Sequence, residues 1–155
     1  MKRVGLAVFV ISLFIVSIEF VSTVFGSDKT EAETLIQKSI DYTKSHKWDE
    51  YVGLFNFDPE VSEHLLSFLK DGEDQRKQDG IHGIQDIKVV SMELTSDPEF
   101  ISKGDYVYDV LLDMKVLNPS EFHINGVSRH IYVLNRIGDD LKIETVYLGT
   151  MYEHK

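Results

Sequence analysis

The chain has no cysteine among its 155 residues and only three prolines. The lack of cysteine excludes disulfide bonds, thiolate metal sites, iron–sulfur clusters, a cysteine nucleophile and a lipoprotein anchor. Basic residues are also scarce, because 16 Lys and Arg stand against 26 Asp and Glu, for a net charge of −10. This balance argues against a nucleic-acid partner and against electrostatic binding to anionic lipid. No phosphate-binding loop, dinucleotide fingerprint, nucleophile elbow or zinc-protease motif is present.

The N-terminal segment has the pattern of a secretory signal. A basic start at residues 1–3 is followed by an apolar run, and Gly26 ends the segment at a position typical of signal peptidase cleavage. The alternative is that residues 4–25 remain as a membrane anchor, since only Glu19 interrupts a stretch long enough to span a bilayer. In either case residues 27–155 form one domain outside the cytoplasm, with a net charge of −11. The absence of cysteine is typical of an exported bacterial protein.

Two helices are predicted in the first part of this domain. Thr30 and Glu33 form a capping box, and helical spacing of apolar residues continues to about Ser45. A short second helix follows at residues 48–55, with its aromatic side chains on one side.

The third helix has the clearest boundaries. Asp58 and Pro59 provide an N-cap and a proline at the first helical position, and Gly72 is predicted to end the helix. Its apolar stripe consists of Val61, His64, Leu65, Phe68 and Leu69.

From Ile84 onwards the apolar period changes to two, which predicts four antiparallel strands. Residues 106–116 have the clearest alternation, and residues 127–137 are apolar on both faces, which predicts a central strand. A hairpin at Gly138 leads to the last strand. One face of the second strand is predicted to carry Tyr106, Tyr108, Val110, Leu112, Met114 and Val116, and one face of the fourth Leu141, Ile143, Thr145 and Tyr147. Helices followed by such strands predict an α+β fold with helices packed on a curved sheet.

Residues 44–55, Lys-Ser-His-Lys-Trp-Asp-Glu-Tyr-Val-Gly-Leu-Phe, resemble the junction between the first two helices of NTF2-like domains. The order of elements after the junction is also similar, and the wider cystatin-like fold group is the nearest alternative. The resemblance implies a cone-shaped domain with a pocket between sheet and helices. Some members are isomerases or dehydratases and many only bind or dimerise. No catalytic residue set of those enzymes matches this sequence, which favours a role other than catalysis.

Four residues are candidates for facing such a pocket. His64 on the third helix is a possible general base, or else a histidine at the edge of the core. Tyr106 and Tyr108 could bind a ligand with their hydroxyls, or pack as ordinary core aromatics. Arg129 and Arg136 lie on opposite faces of the third strand, and Arg129 is chosen as a ligand anchor, with an ion pair as the alternative.

No metal site and no cofactor are predicted. Asp105, Asp109 and Asp113 recur every four residues, about 13 Å apart along a strand, which is too far to share one ion. His123 and His130 could approach across a hairpin, but two histidines make only half a zinc site.

These observations predict an exported, non-catalytic domain that binds a small molecule or a protein partner. A homodimer through the sheet face is also possible, because Val107, Leu111 and Leu117 are expected on the outer face. The alternatives are a small pocket enzyme of the isomerase, dehydratase or hydrolase type, and a membrane-tethered accessory or sensor domain.

Overall fold

A computed structural model describes residues 28–151 as an α+β fold, in which three helices pack on an open four-stranded antiparallel sheet. The predicted signal segment, residues 1–26, lies outside the described residues. The helices are α1 (28–44), α2 (Trp48–Val52) and α3 (Pro59–Asp74), followed by a short 3-10 helix, η1 (Gly80–Gly83). The strands, in spatial as in chain order, are β1 (Ile84–Leu94), β2 (Tyr106–Val116), β3 (Gly126–Ile137) and β4 (Asp140–Met151).

Local capping explains the start of α3. The Oδ1 atom of Asp58 accepts a hydrogen bond from the backbone N–H of Val61 at 2.9 Å, and Pro59 is the first helical residue, as predicted. The start of α1 differs from the prediction, because residues 28–30 are already helical. Thr30 therefore lies within the helix and not at its N-cap.

Gly72 has a different role from the predicted one. Helix α3 continues past it to Asp74, and the chain turns only at Arg76, which has a φ of 51°. The imidazole of His82 lies against Gly72, where a Cβ would meet the Nε2 atom at 2.1 Å. Glycine is needed here for close packing of η1 on α3, not for ending the helix.

The inner face of the sheet forms the main core with α1. The predicted alternation in β2 is confirmed. Tyr108 and Leu112 are buried on the inner face, whereas Asp113, the residue after Leu112, is exposed. The α1 side chains that cover this face are Ala32, Ile36 and Ile40. Strand β3 is apolar on both faces because it is central, as its sequence predicted.

A β-bulge in β4 changes the predicted facing of that strand. Ile143 pairs with Leu134, but the preceding β3 residue, Val133, pairs with Thr145, so β4 contains one extra residue at this point. Because side chains alternate, Thr145 and Tyr147 return to the outer face and Val146 turns inward.

The outer face of the sheet is partly covered by the segment between β1 and β2. Phe100 from this segment packs against a small cluster formed by Val107, Ile131 and Val133. Val107 is therefore only 4% exposed, which corrects the prediction that it belongs to an open dimer surface. Leu117, which directly follows β2, is 47% exposed.

Among the described residues, no helix has both the length and the apolar character needed to cross a membrane.

Candidate functional site

A half-enclosed cavity of about 40 Å³ lies between the helices and the inner face of the sheet. Its volume corresponds to about three water molecules. Leu148 is 40% exposed and stands at the mouth of the cavity. The floor consists of buried apolar side chains from α1, β1 and β2, namely Ile40, Ile84, Ile87, Leu112 and Met114.

Two tyrosines bring phenol groups to this cavity. Tyr132 of β3 is buried, and its hydroxyl lies 3.4 Å from the Oγ atom of Ser39 on α1. Tyr51 of α2 has no hydrogen bond from its hydroxyl to another described residue. Burial raises the pKa of Tyr51, and Tyr132 beside it adds to this effect. Burial also raises the pKa of Tyr132. Both phenols are therefore protonated and uncharged at neutral pH.

Two histidines line the same cavity. His130 of β3 is buried, and its Nε2 atom shares a hydrogen bond of 2.8 Å with the Oγ atom of Ser128. Burial, followed by the nearby His123, lowers the pKa of His130 to about 4. The pKa of His123 is also lowered, by burial and then by the nearby His82. Both lining imidazoles are thus predominantly neutral at pH 7.

The described residues that line the cavity carry no fixed charge. None of them is Asp, Glu, Lys or Arg, and their polar groups are Thr43, the two phenols and the two imidazoles. Among the described residues, no group of three His, Cys, Asp or Glu side chains is arranged to hold a metal ion. The site therefore combines an apolar floor with neutral hydrogen-bonding groups.

Tyr106 and Tyr108, two of the predicted ligand-binding residues, lie away from this cavity. Tyr106 donates a hydrogen bond to the Oδ2 atom of Asp28 at 2.8 Å, and Tyr108 donates one to the backbone oxygen of Lys29 at 3.4 Å. Both bonds are at the N-terminal end of α1, whereas the cavity contacts this helix at Ile40 and beyond. Twelve residues of helix separate the two places, a distance of about 18 Å.

The two arginines of β3 lie on opposite faces. Arg129 lies on the outer face, away from the cavity, where its guanidinium contacts the carboxylates of Asp97 and Asp109 at 3.1 and 2.6 Å. Arg136 lies on the helix side and pairs with Asp28 and Glu31 of α1. Arg129 thus has the ion pairs that the sequence offered as the alternative to ligand binding.

His64, the remaining predicted residue, is exposed on α3 and does not line the cavity. The structure does not bring His64, Tyr106, Tyr108 and Arg129 together.

None of the polar residues that line the inner cavity was predicted from the sequence to bind a ligand. The available signal was the two-residue alternation of β3, which puts Ser128, His130 and Tyr132 on one face. Pairing of His130 with Val110, a predicted inner residue, identifies that face as the inner one. Tyr51 gave no comparable signal, because a helix face alone does not show which side chains reach a cavity.

A second pocket, of about 190 Å³, lies on the outer face of the sheet beside Glu93 and Asp109. These carboxylates are direct cross-strand partners, an arrangement that is unfavourable for like charges. Asp109 is already neutralised by Arg129. The inner cavity is the better candidate for a ligand, because there the Tyr51 hydroxyl has no hydrogen-bond partner among the described residues.

No protein-family model, curated protein or solved structure matches this chain. The resemblance to NTF2-like domains therefore has no support at the level of a family and stays an expectation.

Proposed function

We propose that this chain is an exported domain that binds a small uncharged molecule in the cavity between sheet and helices, without transforming it. The observation that carries this proposal is the composition of the described lining residues, which are apolar side chains, protonated phenols and neutral imidazoles, with no ionised group among them. Ligand sites of this composition favour a mostly apolar molecule with one or two hydrogen-bonding atoms. Among these lining residues a carboxylate or phosphate ligand would find no cation to pair with.

The position of the cavity also supports the proposal. It lies between the helices and the inner sheet face, where the NTF2-like resemblance implies a pocket. The small floor favours a ligand that inserts only one end, while the rest of the molecule contacts the mouth at Leu148. Because the cavity holds only a few ligand atoms, the affinity is limited. Even an ideal fit contributes at most about 1.5 kcal/mol of binding free energy per non-hydrogen atom of the ligand.

The charge preference can be tested with two probes of similar shape, acetone and acetate. Titrations of the isotopically labelled full-length chain are followed by backbone amide chemical shifts. We expect acetone to shift the amides of Thr43, His130 and Tyr132, and acetate to leave them unchanged. Tyr51→Phe removes a hydroxyl that forms no hydrogen bond with another described residue, and it is expected to weaken acetone binding about fivefold. Tyr147→Phe, on the outer face, is the matched control and should bind acetone as the unaltered chain does.

Equal responses to acetone and acetate would overturn the proposed preference. A lack of response at all cavity residues to acetone would overturn the ligand site itself.

A pocket enzyme is the second candidate, because His130 supplies a neutral imidazole and Tyr51 a phenol donor to the same cavity. The molecules bound to protein purified from its own host distinguish the two functions. If native mass spectrometry recovers one compound from the unaltered chain and a different precursor from His130→Gln, the chain is an enzyme. The same compound on both proteins supports binding without turnover.

A further inference from the structure

The hydrogen bond between Ser128 and His130 bears on which ring nitrogen of His130 carries the hydrogen. Ser128 is fully buried, and its Oγ atom has one hydrogen-bond partner among the described residues, the Nε2 atom of His130 at 2.8 Å. The bond has two possible directions, because either the hydroxyl or a ring N–H group can be the donor.

The burial of Ser128 favours the hydroxyl as the donor. If the ring donated from Nε2, the hydroxyl hydrogen would have no acceptor within the described chain, and a buried donor without a partner costs about 1–3 kcal/mol. If the hydroxyl donates, its hydrogen is satisfied and Nε2 is the acceptor. The imidazole is neutral at pH 7, because burial lowers the pKa of His130 to about 4. In a neutral imidazole whose Nε2 atom accepts, the hydrogen is on Nδ1.

The Nδ1 atom of His130 is open to the inner cavity. It forms no hydrogen bond with another described residue. It is also not among the side-chain polar atoms of the described chain that are sealed from solvent without a partner. Part of its surface is therefore accessible, and the space that His130 lines is the cavity. The N–H group at Nδ1 thus needs an acceptor from the molecule that occupies this space.

Tyr51 brings a second donor to the same cavity. Its hydroxyl has no partner among the described residues and is likewise not sealed from solvent. Burial raises the pKa of Tyr51, so the phenol keeps its hydrogen at neutral pH. The hydroxyl of Thr43, by contrast, already donates to the backbone oxygen of Ser39 at 2.8 Å. The lining therefore presents two donors, on His130 and Tyr51, that have no acceptor within the described chain.

We propose that the ligand of this cavity carries a carbonyl oxygen, as in a ketone or an ester, which accepts a hydrogen bond from the Nδ1–H group of His130. This inference rests on the function proposed above and specifies the class of its ligand. A carbonyl oxygen has two lone pairs for hydrogen bonds and brings no hydrogen of its own. A ligand hydroxyl fits less well, because its own hydrogen must also find an acceptor in the lining.

The tautomer of His130 can be measured without any ligand. In nuclear magnetic resonance of the nitrogen-labelled full-length chain at neutral pH, a ring nitrogen that carries a hydrogen is distinguished by its chemical shift from one that does not. We expect the hydrogen on Nδ1 of His130. A hydrogen on Nε2 would overturn this inference and leave the proposed function in place, since an uncharged molecule can still bind to the other lining groups.

Three probes of similar shape test the carbonyl oxygen. They are acetone, isobutene, in which a CH2 group replaces the oxygen, and isopropanol, and each titration is followed by the backbone amides of the cavity residues. His130→Leu removes the ring donor and is expected to weaken acetone binding about fivefold without weakening isobutene binding. His64→Leu, at an exposed position, is the matched control and should bind both probes as the unaltered chain does. The unaltered chain should bind acetone more tightly than isopropanol.

Two outcomes of the titrations would overturn the inference alone. An equal loss of acetone and isobutene affinity in His130→Leu would show that the ring contributes packing and not a hydrogen bond. Isopropanol that binds the unaltered chain at least as tightly as acetone would exclude the carbonyl preference. A lack of response to all three probes would instead overturn the ligand site itself, and this inference with it. The tautomer and the isopropanol comparison use the unaltered chain, so both tests hold even if His130→Leu does not fold.

Discussion

Leu112 and Asp113 are adjacent on β2 and have opposite surroundings. Leu112 is 3% exposed in the main core, while Asp113 is exposed on the outer face. We expect Leu112→Asp to abolish cooperative unfolding, because it places an unpaired carboxylate in an apolar core. Asp113→Leu should change the free energy of unfolding by less than about 1 kcal/mol. Circular dichroism during urea unfolding measures both, and equal transitions would contradict the facing of β2.

The buried imidazole of His130 is expected to make the stability of the folded chain depend on pH. The imidazole has an ordinary pKa of 6.5, which burial in the folded chain lowers to about 4. Between these values the unfolded chain binds more protons than the folded chain, so the free energy of unfolding falls as the pH falls. This residue alone should account for about 3 kcal/mol of loss between about pH 7 and pH 4.

The measurement compares urea unfolding of the unaltered chain and of His130→Gln across this pH range. His130→Gln keeps a polar side chain beside Ser128 but does not titrate, so its stability should fall less steeply. Carboxylates such as Asp97, whose pKa is lowered first by the backbone N–H of Glu99 and then by Arg129, titrate in both proteins and cancel in the difference. His64→Gln, at an exposed position, should keep the slope of the unaltered chain. Parallel curves for all three proteins would contradict the buried, neutral state of His130.

Among the elements, α3 provides a direct test of close packing. Alanine is about 1 kcal/mol better than glycine within a helix. At Gly72, however, an added Cβ would lie 2.1 Å from the imidazole of His82, whose Nε2 atom is hydrogen-bonded to the backbone oxygen of Leu69 at 3.0 Å. We expect Gly72→Ala to destabilise the chain by about 2 kcal/mol in thermal or urea unfolding. Ser67→Ala, on the exposed side of α3, is the control and should have little effect. A more stable Gly72→Ala protein would show that η1 does not pack tightly on α3.

Strands β2 and β4 show how far the fold could be predicted from the sequence. The facing of β2 was predictable because its apolar period of two runs uninterrupted from Tyr106 to Val116. In β4 the same rule failed beyond Ile143, where a bulge shifts the pairing with β3. A bulge is a property of two paired strands and has no signal within one of them.

The candidate site depends on the same long-range information. Its polar groups come from α1, α2, β3 and the segment before β3, and no single helix or strand contributes more than two of them. Periodicity could identify His130 and Tyr132 as inner residues of β3. It could not show that Tyr51 of α2 reaches the same cavity, since this requires the packing of α2 against the sheet. The same periodicity predicts Tyr106 as a ligand-binding residue, but in the structure its hydroxyl is hydrogen-bonded to Asp28 of α1.

At the scale of the whole molecule, the N-terminal end of α1 is fixed to the sheet. Asp28 accepts a hydrogen bond from Tyr106 at 2.8 Å, and Arg136 contacts Asp28 and Glu31 at 3.4 and 2.8 Å. The predicted cut after Gly26 would leave a single residue, Ser27, before this fixed region. Signal peptidase would therefore cut immediately before the folded domain.

We expect the protein recovered from the exterior of its host to have the mass of residues 27–155, measured by mass spectrometry of the intact chain. Cleavage there would remove Lys2, Arg3 and Glu19, so the mature protein would carry a net charge of −11 instead of −10. Replacing Gly26 with a bulky residue should block processing, because signal peptidase requires a small residue at the cut. Asp28→Ala, which removes the contacts to Tyr106 and Arg136 but leaves Gly26 in place, should be processed normally. Recovery of only the full-length chain in the membrane fraction would instead show that residues 4–25 are an anchor. The domain would then begin within a few residues of the bilayer.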